Sequence, residues 1–193
     1  MAIQVGQVSH PHWNYLIVLE QDLLKASRYV EFADGNFETY SIEFAHLLFA
    51  AAAETEVVLK TLCALFAPGV KVENIDQYRD ALLPVLTNLS KSKVSVPRFR
   101  LELQPWNNWA AAPVKNPDWW RGYNAVKHER HTSFKQATLK NALNAVAALY
   151  IVTLELANRY DPTNPGAIVG TPTAVAAMME PASQLFVPAG YAP

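Results

Sequence analysis

Glu38-Thr39-Tyr40-Ser41-Ile42-Glu43-Phe44-Ala45-His46-Leu47-Leu48-Phe49-Ala50-Ala51-Ala52-Ala53-Glu54-Thr55-Glu56-Val57-Val58-Leu59-Lys60-Thr61-Leu62-Cys63-Ala64-Leu65-Phe66 reads as one long helix. Its positions Phe44, Leu47, Leu48, Ala51, Thr55, Val58, Leu62 and Leu65 step by three and four, which lines one side of a helix with apolar groups. The run Ala50–Ala53 allows a second helix to approach closely, and Pro68-Gly69 ends the pattern. The fold class that follows is all-α.

Working outward, the same period runs from about Asn14 to Val30 through Leu16, Leu19, Leu23 and Leu24, and Asp34-Gly35-Asn36 supplies a turn. Asn74 or Asp76 opens a third helix reaching Leu89, with Pro84 marking a kink or a late start. Residues 90–116 change character. Ser92–Pro97 and Phe99–Leu103 alternate, so a short irregular or β-hairpin insertion is expected there, followed by a loop anchored by Trp106 and Trp109. Pro117-Asp118 starts a short helix to about His128. A last helix is expected from Phe134 to about Arg159, with Ser133 and Gln136 at capping-box spacing and a core stripe from Leu139 to Leu154. Residues 1–160 form the helical domain, and 161–193 a Pro-rich tail in which Ala174–Glu180 makes a turn or two of helix. The tail is an appendage or a strap on a partner, and its apolar pieces Ala167-Ile168-Val169 and Leu185-Phe186-Val187 favour the strap.

The chain has 193 residues, half of them hydrophobic and 17% charged, which suits one folded domain. Its single cysteine, Cys63, cannot form an internal disulfide and lies in an apolar run, as an inert core residue would. Met1–Gly6 does not have the pattern of a secretory signal, and no stretch reads as about 20 apolar residues of a membrane span, so no membrane association and a cytoplasmic location are expected. His10 and His12 lie two apart without nearby Cys or a matching acid pair, so neither a metal nor another cofactor is expected. Net charge is −1, yet residues 91–140 hold ten bases against three acids. That asymmetry marks either an anion-binding side or a basic face that meets the acidic part of the same molecule or of a second copy.

The richest stretch is Trp119-Trp120-Arg121-Gly122-Tyr123-Asn124-Ala125-Val126-Lys127-His128-Glu129-Arg130-His131. On a helix with Trp119 at 0°, Tyr123 falls near 40° and Val126 near 340°, roughly one face, while Arg121, Asn124 and His128 fall at roughly 140–200° on the other. A forked cation, an amide and an imidazole over two turns can surround a phosphate. A solvated polar face without function has the same composition.

Two segments resemble the HEPN superfamily. One is Arg121…His128, with six residues between, inside the fuller string Trp-Trp-x-x-Tyr-Asn-x-x-Lys-His-x-Arg. The other is Ala53–Leu62, similar to the Glu-rich, Leu-Lys-containing stretch of the family's second long helix. The order of elements over residues 14–158 is also similar. The resemblance implies a HEPN-like up-down helical bundle that forms a homodimer. It implies a metal-independent endoribonuclease of a defence or toxin–antitoxin system, with RNA and a cognate antitoxin or other partner protein as binding partners. His128 would then act on the ribose 2′-hydroxyl and Arg121 on the scissile phosphate. Asn124, Glu54, Lys127 and His131 would support them, Glu54 by pairing with Arg121 or Lys127. Arg98, Arg100, Lys115, Arg130 and Lys135 of the basic segment would hold RNA. Gly122 stands where the family often has a polar residue; it costs about 1 kcal/mol of helix propensity against Ala and permits close approach at a dimer seam. Two other functions stay open: a non-catalytic HEPN-like interaction or scaffolding module, and a small-ligand binder with an aromatic pocket of Trp106, Trp109 and Trp120.

Overall fold

The computed structural model describes residues 10–159 and 170–189. Residues 1–9, the helix stop at Asp161–Gly166 and the Ala167-Ile168-Val169 piece lie outside them. Among the described residues the chain is mostly helical, with helices α1 (Pro11–Ala26), α2 (Ile42–Phe66), α3 (Ile75–Leu82), α4 (Asp118–His128), α5 (Arg130–Ser133), α6 (Leu139–Asn158) and α7 (Pro172–Met178). A small antiparallel sheet of β1 (Lys93–Val96), β2 (Leu101–Leu103) and β3 (Val187–Ala189) has the order β2-β1-β3.

The centre of the molecule is the pair α2 and α6, flanked by α1 and α4. The α2 positions Phe44, Leu47, Leu48, Ala51, Thr55, Val58 and Leu62 are buried as the period requires, whereas Leu65 is exposed. Cys63 is buried among them, and desolvation pushes its thiol up to about 11, so it stays protonated. Helix α6 differs from the expected single stripe: from Ala145 to Glu155 every residue is buried. By length and composition α6 is apolar enough to cross a membrane, which the sequence reading did not anticipate, and 83% of its apolar window is buried inside the bundle. An all-round apolar helix suits the middle of several layers.

Helix starts follow their caps. Helix α2 begins at Ile42, after Ser41, whose hydroxyl accepts from the Phe44 N–H. Helix α3 begins after Asn74, which accepts from Gln77, and stops at Leu82, short of Pro84. Helix α6 begins after Thr138, which accepts from Asn141, so Ser133 and Gln136 are no capping box and 134–136 is a separate 3₁₀ turn. The chain before α2 is stitched to the start of α6: Leu139 donates to the Thr39 carbonyl (2.8 Å) and Lys140 to that of Phe37 (3.1 Å).

The hairpin insertion is present, with Val94 opposite Leu103 and Val96 opposite Leu101. Its third strand comes from the tail, where Lys93 pairs with Ala189 and Ser95 with Val187. The described tail residues therefore strap this chain's own body. Leu185 and Phe186 are buried, the Trp13 indole N–H donates to the Pro181 carbonyl (2.9 Å), and the Tyr150 hydroxyl donates to that of Phe186 (3.4 Å).

The buried carboxylate of Glu20 accepts from the Ser183 hydroxyl and from the Gln184 N–H (2.6 Å). Burial raises its pKa above the ordinary 4.5, a rise only partly offset by the bonds from Ser183, Gln184 and Leu185. The folded chain thus holds a proton here more tightly than the unfolded chain. The stability this group contributes is fully present below pH 4.5 and is lost as pH rises through the folded value. Denaturant midpoints measured from pH 4.5 to 7 should therefore fall for wild type relative to Glu20→Gln. Parallel curves would contradict this.

Candidate functional site

Helix α4 is built as its period dictates. Asp118 lies in the first turn, where a carboxylate suits the positive helix end. Trp119, Tyr123 and Val126 are buried, and Trp120 joins them. These rings continue a ladder. Trp109 packs on Trp106 (4.5 Å), Trp106 edge-on against Trp119 (5.3 Å), Trp119 against Trp120 (5.7 Å), Trp120 on Tyr123 (5.4 Å) and Tyr123 against Phe49 of α2 (5.5 Å). Trp106 and Trp109 pack on each other and Trp120 on Trp119 and Tyr123, all three buried, so the aromatic-pocket reading lacks the open ring faces it needs.

Arg121 and His128 are exposed on the outward face of α4 and Asn124 is half-buried beside them. Arg121 is held by Asp118, one turn earlier. Lys127 lies over the Tyr123 ring at 5.2 Å. The helix ends at His128, so His131 belongs to the following short helix α5. Arg130 spans the Phe49 and Phe134 rings (5.9 and 5.8 Å). Glu54 does not pair with Arg121 or Lys127: its carboxylate takes His12 Nδ1 at 2.6 Å. His12 comes from the start of α1, and no sequence spacing links it to residue 54.

The basic segment is dispersed over several elements. Arg98 and Arg100 sit on the β1–β2 connection, Lys115 in the loop before α4, and Lys135 in the turn after α5, all exposed. Arg98 lies over Phe99 (5.2 Å). Among the described residues, no group of three or more His, Cys, Asp or Glu side chains is placed to hold a metal ion.

A polar cleft of about 470 Å³ opens beside Arg121, between α4 and the start of α6. Its walls carry Arg121 and Lys140 against Glu38 and Asp118, so the charges balance. Asn124 and His128 are outside its lining. A second lobe of about 290 Å³ shares Asp118, Lys140 and Asn141 with it and runs on to Asn108 and Asn144. No local spacing marks this cleft, because its walls come from chain segments far apart in the sequence.

Gly122 is buried against α6 of the same chain. A Cβ there would come 2.5 Å from Asn141 Nδ2, which donates to the Gln136 carbonyl at 2.8 Å. Helix propensity alone says Gly122→Ala gains about 1 kcal/mol. The contact says otherwise: the added carbon also lies 3.2 Å from Asn141 Cγ and 3.4 Å from the Gln136 carbonyl, so the amide must give up its bond to that carbonyl, and overpacking of this kind costs about 1–3 kcal/mol. A urea titration should show net destabilisation, and it should shrink in an Asn141→Ala background. A more stable Gly122→Ala would rule out the tight contact.

The fold and the α4 face together define a helical-bundle protein with a polar helix face and an adjoining cleft. Compared with family models, curated proteins and solved structures, the chain shows no match.

Proposed function

We propose that this chain is a HEPN-like protein that binds RNA and cleaves it without a metal, acting in the cytoplasm as a homodimer within a defence or toxin–antitoxin system. The observation that carries the reading is the outward face of α4, where Arg121, Asn124 and His128 sit opposite the buried Trp119, Tyr123 and Val126. His128 exchanges the proton of the ribose 2′-hydroxyl, and Arg121 neutralises the phosphate as charge builds. Arg121 and His128 are two helical turns apart, about 10 Å along the axis, so a site shared by two copies brings one copy's Arg121 to the other's His128 more readily than one helix does.

Purified protein is expected to cut RNA in the presence of EDTA and leave 2′,3′-cyclic phosphate ends. His128→Ala should lower the rate at least a hundredfold with the dimer intact by analytical ultracentrifugation. Cleavage by His128→Ala at the wild-type rate sinks the catalytic role. A second reading, the non-catalytic interaction module, is favoured by the Arg121–Asp118 pair, which already occupies the guanidinium. A stable complex without RNA cleavage by wild type decides for it.

A further inference from the structure

Rings and cations alternate along the corner where α4 gives way to α5. Tyr40 stands at right angles to Phe134 (6.0 Å), and Arg130 lies over Phe134 (5.8 Å) and Phe49 (5.9 Å). Phe49 in turn meets Tyr123 (5.5 Å), and Lys127 lies over the Tyr123 ring (5.2 Å). Each cation is within the roughly 6 Å at which a ring face attracts it. Tyr123 is buried and Phe49 and Phe134 are half-buried, so these rings hold the cations in place.

Tyr40 ends the row and is 54% exposed. Its backbone is fixed on both sides. Tyr40 bridges to Thr138, the Ser41 N–H donates to the Ala137 carbonyl (3.4 Å), and the Thr39 carbonyl accepts from Leu139 (2.8 Å). Tyr29 is more exposed, at 84%, but among the described residues neither a ring nor a cation stands against it.

The charge of the corner is mostly of one sign. Residues 127–136 hold Lys127, Arg130 and Lys135, with His128 and His131, against Glu129 alone. Among the described residues none of the three bases is in an ion pair. On α2, Glu43 lies 3.9 Å from His46. An open ring on a rigid backbone beside unpaired cations suits a base that has left its stack: the ring takes the face of any base, and the cations take the phosphates. A duplex keeps its base faces stacked inside and offers the ring nothing.

We infer that this corner is a stacking platform for one unpaired base of single-stranded RNA, with the Tyr40 ring against the base and Arg130 and Lys127 at the flanking phosphates. The inference rests on the RNA-binding reading and extends it to residues outside the Arg121–His128 pair. Arg130 follows His128 by two residues, so the platform begins where the α4 face ends.

The test uses a fluorescein-labelled 2′-O-methyl uridine octamer, which cannot be cut at the 2′-oxygen, and a second octamer with 2-aminopurine at its centre. Anisotropy reads affinity, and dimming of 2-aminopurine reads stacking. Wild type is expected to bind the single strand at least tenfold tighter than the same strand in a duplex, and to dim the probe. Tyr40→Leu should weaken binding by about five- to hundredfold and leave the probe bright. Tyr40→Phe and Tyr40→Trp should restore both readouts, which separates stacking from damage to the fold. Lys127→Ala should flatten the dependence of log affinity on log salt by roughly 0.7, the share of one phosphate on a single strand. Equal binding of strand and duplex, or Tyr40→Leu that binds and dims like wild type, overturns the platform and leaves the RNA reading standing. A Tyr40→Leu that keeps its affinity but turns a dimer into monomer by analytical ultracentrifugation makes the corner a contact between copies and also overturns the platform. Tyr40-dependent binding with no cleavage of unmodified RNA keeps the platform and sinks the catalytic reading. Absence of both binding and cleavage overturns both.

Discussion

Trp119→Ala is expected to destabilise the protein by about 3–5 kcal/mol, as deletion of a buried tryptophan does when its surroundings cannot close over the gap. Trp119 is 1% exposed and stands in the middle of the aromatic ladder, edge-on to both Trp106 and Trp120. Its indole N–H also donates to the Pro105 carbonyl at 2.9 Å in a buried setting. Truncation therefore removes ring contacts on two sides and strands a buried acceptor. Trp119→Phe separates the two contributions, because it keeps much of the ring volume and loses the hydrogen bond. It should cost about 1–3 kcal/mol, from the unsatisfied carbonyl and a small void. Urea midpoints with slopes checked for constancy measure both. A loss below about 1 kcal/mol for Trp119→Ala would show that the 105–110 loop collapses onto α4, against the rigid ladder described above.

The ladder also shows where sequence reading succeeds. The period of α4 placed Trp119, Tyr123 and Val126 on one face and Arg121, Asn124 and His128 on the other, and burial follows that division. Short-range periodicity suffices because the helix has one core side. It fails for α6, where core surrounds the helix and the apolar stripe has no edge to read. It fails again at the start of α6, where Thr138 caps the helix because backbone bonds to Phe37 and Thr39 already fix its first turn. Contacts between distant segments leave no mark in local spacing. His12 reaching Glu54, and Gly122 making room for Asn141, are of this kind. The candidate site was half legible for the same reason: the helix face is local, whereas the cleft beside it is assembled from four separate stretches of the chain.

The tail poses the same question in energetic form, and Phe186→Ala answers it. Phe186 is 2% exposed, packs on the Tyr150 ring at 5.6 Å, and belongs to the same contiguous core as α1, α2 and α6. Its N–H donates to the Ser183 hydroxyl that in turn binds Glu20, so ring, hydroxyl and carboxylate form one connected anchor. A strap that shares the main core unfolds with it, and the full cost of the truncation, about 3–5 kcal/mol, should appear in global stability. A strap that opens first would limit the loss to its own docking free energy. Two measurements on the same variant tell these apart. Urea unfolding reports the global cost, and amide exchange over residues 180–189 reports the strap alone. The shared core predicts a large midpoint shift with strap and α6 amides losing protection together. A global shift under about 1 kcal/mol, with exchange accelerated only in residues 180–189, would instead make the tail a separable unit docked on a finished bundle.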